Sequence, residues 1–554
     1  MKLDRLKNLL PSWKNALLAV LAAVLLILAF PDFEFWFLAW FALVPLLFAI
    51  ERERGHSCPH EREGVRENVG KSSSQVRPAV SWGQECPRSF VLGWIFGNIF
   101  FFGTCWWLTY APINYAGLPP LLAYFLLFCV TSVAAIFPGI FALILSLLLS
   151  RFGTWAFLLA PFVWVFTEFL RYWLTGNNWN AIGYSQAFGF RGLTTLAAFG
   201  GVLLTSLSLV WMNSVVAFVV FERSRRKLVF TVSALTIVFV LGSFISLVFA
   251  SSSKINYDAL VVAIQPNVPM AGLNPTAWNQ MRTRHAVLTE QVIQDIKEKR
   301  FVLNGGTSVQ PEKLAAVIFP ESPMNFMYED DAETRAFING FAAKNNVSVL
   351  FNSAEPNKAD GKYFNSAVLV GPDGNEVAQY DKIYLLPFGE AVPAPLQSIV
   401  PAFVGSFSYG SEYDLLPLGD AKAGVMICFE SHFGQLSREY VRNGADVIIE
   451  MTNDGYLGPT PILRQHLANA VFRAVETNRP VLRVTNVGIT AYINERGQVL
   501  DAAEPYTEAT RVWSVSKSDG SQTFYVKYGD WFAWLCSVVT VGMLVLSLRR
   551  KHDR

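Results

Sequence analysis

Charge is what this chain has least of. Only 16% of its 554 residues are Asp, Glu, Lys or Arg, against about a quarter in an ordinary soluble domain. The net charge of +2 provides no polyelectrolyte attraction, so no nucleic-acid partner is expected. Cysteine is also scarce. The six thiols, at 58, 86, 105, 129, 428 and 536, show no paired spacing, which argues against a disulfide framework. Cys105, Cys129 and Cys536 lie in strongly apolar runs, where cysteine acts as a small core residue. His56, Cys58, His60 and Cys86 share a charged stretch, but their spacing is too irregular for a tetrahedral zinc site. That stretch reads as a solvated loop, and no metal is expected. The first apolar run lacks a small-residue cleavage site, so it reads as an anchor and not as a removable signal.

What the chain has in abundance is apolar surface: 52% hydrophobic residues, concentrated in the first half and at the extreme C-terminus. A bilayer core needs about 20 apolar residues per helix. Eight runs qualify, at 15–31, 33–50, 90–109, 119–150, 154–172, 193–221, 226–250 and 529–548. The fourth is overlong and carries Pro138-Gly139, which predicts a kink or a strong tilt. Lys and Arg crowd the N-terminus, the 51–88 loop, Arg151, Arg223–Lys227 and the tail Arg549–Arg554, whereas Ala111–Pro119 has none and Leu174–Gly192 only Arg191. Eight alternating helices put every basic segment on one face, so both termini are expected in the cytoplasm. The expected layout is a membrane domain over 1–250 with seven spans and a cytoplasmic insert at 51–88. A soluble domain over 251–528 follows on the outer face (in a bacterium, the periplasm), and then a last span and basic tail over 529–554. Glu168 and Arg171 share one face of the fifth span, either as a functional pair or as a structural ion pair. The polar-aromatic loop that follows, with Asn177, Asn178, Trp179, Tyr184 and Gln186, suits the headgroup zone.

Between 251 and 528 short apolar runs alternate with helical patterns. Strands are predicted at Tyr257–Gln265, Ala315–Phe319, Val347–Asn352, Ser366–Val370, Ala423–Ile427, Asp446–Met451 and Val481–Val484. Helices are predicted near 277–299, 332–345, 432–443 and 461–477, with Gly444 as a C-terminal cap. Gly371–Gly374 and Asn494–Gly497 read as hairpin turns. The class is an α/β sandwich. Polar residues stand where three strands run out: Glu321, Cys428, and the pair Asn453 and Asp454. In α/β folds that is where rigid elements aim chemistry. A free thiol has a pKa of about 8.5. A helix starting after Cys428 and a cation such as Lys382 would both raise its thiolate fraction. A carboxylate such as Glu321 could take the thiol proton, and Lys382 could stabilise an acyl oxyanion together with backbone N–H groups after Cys428.

The wording around these residues is specific. Phe319-Pro320-Glu321-Ser322, Tyr380-Asp381-Lys382-Ile383-Tyr384-Leu385-Leu386-Pro387-Phe388-Gly389-Glu390 and Ile427-Cys428-Phe429-Glu430 resemble the Glu-Lys-Cys signature of the nitrilase superfamily. Thr452–Gly458, Gln465-His466-Leu467, Phe472–Pro480 and Thr485–Ala491 resemble its membrane-anchored branch, the apolipoprotein N-acyltransferases. The span layout is similar too, so the resemblance covers nearly the whole chain.

The resemblance implies an αββα sandwich and a two-step reaction without a cofactor. The thiolate takes an acyl chain from a phospholipid, typically phosphatidylethanolamine. The α-amino group of a diacylglyceryl-cysteine in an apolipoprotein then accepts it from the thioester. Carried over, Glu321 is the general base, Lys382 the oxyanion stabiliser and Cys428 the nucleophile. Glu390 orients the site, Phe429 and Glu430 follow the nucleophile, Asn453 supports the site or makes a strand-end turn, and Trp278 matches a tryptophan near the acyl entrance. Phe429 stands where the family more often has tyrosine, and Gly455-Tyr456-Leu457 departs from the commoner Ala-Trp-Phe wording. Two other readings use the same chain: a tethered amidohydrolase in which water resolves the acyl-enzyme, and a transporter or lipid-binding protein with an inactive outer domain. The second calls for several intramembrane charges and repeated half-helices, of which the sequence shows mainly Glu168 and Arg171 and no clear inverted repeat.

Overall fold

The computed structural model describes residues 10–31, 33–54, 86–176, 178–222, 229, 233, 259–271, 274–298, 302–303, 307–308, 314–321, 326–387, 389–392 and 407–549. The predicted seventh span at 226–250, apart from 229 and 233, and most of the 51–88 insert lie outside these residues, as does the tail beyond 549. The chain divides into two compact units: 1–196, 202–247 and 530–554 in one, 197–201 and 248–529 in the other.

The first unit is helical. Its elements are α1 (Trp13–Ala29), α2 (Val44–Arg54), α3 (Cys86–Thr104), α4 (Pro120–Ala134), α5 (Ile136–Phe152), α6 (Ala160–Thr175) and α7 (Ala197–Glu222), closed by α12 (Trp531–Arg549). The Ser12 hydroxyl starts α1 by accepting from the Asn15 N–H, the usual cap for an orphan donor. Among the described residues, 120–175 and 197–221 are long and apolar enough to cross a membrane, and 87–114 is a third if its two helices, bent by 61°, count as one span. Trp13–Ala29 and Trp531–Ser547 are shorter apolar helices.

Several expectations change here. The run at 33–50 is not one helix: a 3-10 turn at Trp36–Trp40 precedes α2. The overlong 119–150 run divides at Ala135, and Pro138 falls in the first turn of α5, where a missing N–H costs nothing. Cys105 and Cys536 are buried, but Cys129 is exposed. It lies on α4, where Leu121, Phe125, Val130 and Val133 also face outward. A patch of that kind is unfavourable in water and suits lipid. Glu168 and Arg171 form no direct ion pair. Glu168 accepts from the Ile182 N–H at 2.9 Å, while Arg171 donates to Trp179 O at 3.0 Å and Asn178 Oδ1 at 3.1 Å and stacks on Phe101. Both side chains therefore secure the 178–182 loop.

The second unit is built on two sheets. Its strands are β1 (Ala259–Gln265), β2 (Leu314–Ile318), β3 (Ser348–Asn357), β4 (Lys362–Val370), β5 (Glu376–Asp381), β6 (Leu415–Leu418), β7 (Ala421–Ile427), β8 (Val447–Thr452), β9 (Val481–Thr485), β10 (Ala491–Ile493), β11 (Val499–Leu500) and β12 (Ala509–Val515). Two further two-residue strands, Val302–Leu303 and Thr307–Ser308, pair only with each other. One sheet has the order β12-β1-β2-β3-β4-β5, with Phe407–Ser408 also on β4; the other runs β11-β10-β9-β8-β7-β6. Each has a parallel centre, β1-β2-β3 and β7-β8-β9, flanked by antiparallel strands. Helices α8 (Pro275–Lys297) and α9 (Ala332–Asn345) belong to the first half, α10 (Gly434–Arg442) and α11 (Ile462–Thr477) to the second.

Strand alternation decides the layers. Leu260, Val262 and Ile264 of β1 join Val317, Val349 and Val368 in a core closed by Ile293 and Ile296 of α8 and Ile338 and Phe341 of α9. The buried Gln265 amide bridges the sheets, accepting from Thr485 Oγ1 and the Thr490 N–H. The predicted hairpins at Gly371–Gly374 and Asn494–Gly497 are present, closed by Gly374 N–H to Gly371 O and Gly497 N–H to Asn494 O.

Candidate active site

Parallel strands deliver their carboxyl ends to one edge of a sheet, and the predicted site residues lie just past such ends. Cys428 follows β7, Glu321 lies three residues past β2, and Lys382 follows β5. The Lys382 backbone is anchored through its N–H to Asn365 O at 2.9 Å. Lys382 Nζ lies 2.8 Å from Glu390 Oε1 and 3.6 Å from Glu321 Oε1. The Glu321 carboxylate and the Cys428 thiol interact electrostatically. Asn365 Nδ2 spans the two carboxylates, donating to Glu390 Oε1 at 2.7 Å and facing Glu321 Oε1 at 3.4 Å. Asn352 in turn holds the Asn365 carbonyl at 2.6 Å. Glu390 Oε2 accepts the Leu386 N–H at 2.7 Å. One amine, two carboxylates and one thiol thus converge, the amine buried and the other three groups partly exposed.

Their electrostatics are coupled. Burial works against the Lys382 charge, but Glu390 and Glu321 outweigh it and push its pKa far up, so the amine stays an ammonium. Burial raises the Glu321 pKa, Lys382 opposes that, and Glu390 adds to it. Burial and the neighbouring Glu321 charge hold Cys428 well above an ordinary thiol, against Lys382. The expectation that Lys382 raises the thiolate fraction of Cys428 is therefore corrected, because burial and Glu321 outweigh it. One ammonium beside two carboxylates leaves no surplus positive charge for a third anion. The helix expected directly after Cys428 is corrected as well: a 3-10 turn, Cys428–His432, intervenes before α10 starts at Gly434.

Glu430 ties the Cys428 turn to the lysine loop. Its Oε1 accepts from the Tyr380 hydroxyl at 2.7 Å and from the Ile383 and Tyr384 N–H groups at 2.8 and 3.0 Å, and its Oε2 from the Ile427 N–H at 2.9 Å. Burial pushes its carboxyl up to about 7, opposed by Lys382 and these donors. Phe429 stacks on His432 and meets Phe433 edge-on, giving an aromatic wall beside the sulfur. Asn453 takes the turn role: its Oδ1 accepts from the Gly455 N–H at 3.3 Å and Asn486 Nδ2 at 3.0 Å. Trp278 is not gathered into this cluster; its partly buried ring packs on the core under α8 and α9.

Comparison with known proteins fits this geometry. Residues 306–523 match the carbon-nitrogen hydrolase family, and residues 22–59 and 79–215 match the apolipoprotein N-acyltransferase N-terminal domain. The apolipoprotein N-acyltransferase of Geobacter metallireducens is 29% identical, with 97% of this chain and 96% of that protein covered. That of Thermotoga maritima is 28% identical, with 96% and 94% covered. Over nearly its whole length the chain is similar to apolipoprotein N-acyltransferases. Among solved structures, Nit3 of Saccharomyces cerevisiae, a member of branch 10 of the nitrilase superfamily, is similar at 18% identity, covering 48% of this chain and 93% of that chain with a TM-score of 0.35.

Sequence reasoning missed several of the residues gathered at the site. Asn365 sits inside β4, and a buried asparagine opening an apolar strand was its only local signal. Glu450, Asp454, His466 and Arg483 form a second buried cluster next to Cys428. Arg483 pairs with Glu450 at 2.5 Å and with Asp454 at 2.6 Å, and His466 with Asp454 at 2.7 Å. His466 and Asp454 stand within motifs quoted above, but no spacing rule links them to Cys428.

Proposed function

We propose that this protein transfers a fatty acyl chain from a membrane phospholipid, phosphatidylethanolamine by resemblance, to the N-terminal α-amino group of diacylglyceryl-cysteine in apolipoproteins. The observation that carries the reading is the convergence of Glu321, Lys382 and Cys428 in a chain similar to apolipoprotein N-acyltransferases over nearly its whole length. In the first step Glu321 takes the Cys428 proton as sulfur attacks the ester carbonyl. Lys382 and backbone N–H groups of the Cys428 turn stabilise the oxyanion. The ester C–O bond breaks, and the lysophospholipid oxygen leaves with the proton from Glu321. In the second step the acceptor amine attacks the thioester carbonyl and gives a proton to Glu321. The C–S bond then breaks, and the released sulfur is reprotonated. Glu390 fixes Lys382, and Glu430 fixes the nucleophile's turn.

The proposed layout is seven spans in 1–250 with a cytoplasmic insert at 51–88, a periplasmic catalytic domain over 251–528, and a last span and cytoplasmic tail over 529–554, in the bacterial inner membrane. Supporting it are the one-sided basic loops and the outward apolar faces of α4 and α12. Anchoring keeps long acyl chains in lipid, where each CH₂ is worth about 0.8 kcal/mol, and brings the reacting heads to the thiol. The full-length protein, given phosphatidylethanolamine and then a diacylated lipopeptide, is expected to yield triacylated peptide, which mass spectrometry detects. Free fatty acid as the main product, with the peptide unchanged, would make it a hydrolase instead.

A further inference from the structure

Two strand ends in the second sheet carry strained residues. Cys428 after β7 has φ +53° and Asp454 after β8 has φ +58°. Left-handed backbone is costly for a non-glycine residue. Asp accommodates it by local hydrogen bonding, whereas Cys has no such device. Something outside the turn must hold Cys428 there.

Helix α11 supplies it. His466 bridges both strained ends, with Nδ1 2.7 Å from Asp454 Oδ1 and Nε2 3.0 Å from the Cys428 carbonyl oxygen. Two helical turns further along, on the same face, Arg473 Nη1 donates to His432 O at 3.0 Å and lies 3.3 Å from Ser431 O. The turn Cys428–His432 is thus held through its carbonyls at both ends by cationic side chains of one helix. The geometry points to His466 and Arg473 as positioning residues of the acyl-transfer site, which draw the carbonyls of the nucleophile's turn onto α11 and so aim its sulfur and first N–H groups at the reacting carbonyl.

The surroundings suit a charged imidazole. Facing His466 are Glu450 from β8, at 3.1 Å from Nε2, Asp454 from the end of β8, and, through those two carboxylates, Arg483 from β9. Two anions and two cations balance, which is the condition for burying such a cluster. Burial and Arg483 disfavour the imidazolium, but Asp454 and Glu450 prevail and raise its pKa to about 9. Both ring nitrogens then carry hydrogens, so both contacts can be donations. Gly488 leaves room for this arrangement: a Cβ there would stand 2.2 Å from Asp454 Oδ2.

This inference rests on the acyl-transfer reading above, and its test separates the two. Single-turnover acylation of Cys428 is followed in the full chain over a range of phosphatidylethanolamine concentrations in mixed micelles. His466→Gln keeps a donor near the Nε2 position; His466→Asn keeps one near Nδ1 and loses the contact to the Cys428 carbonyl. The glutamine variant is expected within about tenfold of the wild-type rate. The asparagine variant is expected to be about 100-fold slower or more, with the half-saturating phospholipid concentration unchanged, in line with the cost of misplacing reacting groups. Melting temperatures in the same micelles separate a lost site from a lost fold. Arg473→Lys, which retains the charge beside Glu476, supplies a second route: a slower maximal rate at unchanged half-saturation is expected. A wild-type rate in both His466→Asn and Arg473→Lys, or equal loss in the two His466 variants, overturns the inference while leaving the reaction intact. A wild-type chain that never acylates overturns the reading beneath it.

Discussion

At the scale of single residues, the site is a balance of charges in a small volume, and each proton's place follows from its neighbours. Lys382 is held as a cation between two carboxylates, and burial with Glu321 holds the Cys428 thiol above its ordinary range; in the proposed reaction Glu321 accepts its proton. The same logic applies to His466, with a measurable consequence. Its pKa is about 9 in the folded chain against a reference of 6.5, so it contributes stability that is fully present below about pH 6.5 and is lost as pH rises through about 9. The upper limit of that contribution is on the order of 3 kcal/mol. Thermal unfolding in detergent should therefore show a midpoint that falls between pH 6.5 and 9, and His466→Gln should flatten this slope. An identical slope in the variant would place the titrating group elsewhere.

At the scale of elements, the sequence pattern revealed the centre of the fold better than its margins. The predicted strands match β1–β4 and β7–β9 to within a few residues because central strands, buried on both faces, are continuous apolar runs. The strands it passed over are marginal: β5, β6, β11 and β12 lie at sheet edges, and β10 lies next to β11. Their polar alternation, and Pro417 within β6, obscure an edge strand. The triad was legible because local wording surrounds each member. His466, Arg473 and Asn365 were not, because their roles exist only once α11 meets the Cys428–His432 turn and β4 brings Asn365 to Glu390 and Glu321. Two glycines separate close packing from mere helix content. Gly488→Ala would push a methyl into the Asp454 carboxylate that Arg483 holds; a loss of about 1–3 kcal/mol in denaturant unfolding is expected. Gly340→Ala, in exposed α9 with nothing within 4 Å of the new Cβ, should gain roughly 0.5–1 kcal/mol.

At the scale of the whole molecule, low charge and abundant apolar surface point to a membrane, and the outward apolar faces of α4 and α12 give that composition a location. The run at 33–50 shows where a hydropathy reading goes too far. Its apolar residues break into a 3-10 turn and an 11-residue helix, because packing around Trp36 and Trp40, not propensity alone, decides the backbone there. Trp40 donates to Gln186 Oε1 at 3.1 Å, and Gln186 donates to Trp36 O at 3.0 Å. These contacts tie that turn to the loop after α6.

The central claim is that lipid chemistry passes through one sulfur, and it reduces to one observation. Full-length protein incubated with phosphatidylethanolamine, without acceptor, should gain the mass of one acyl chain on the peptide containing Cys428. Hydroxylamine should remove it, and Cys428→Ala should never acquire it. An unmodified Cys428 in a preparation that converts diacylated to triacylated lipopeptide, or an acyl group that hydroxylamine leaves in place, would contradict the account.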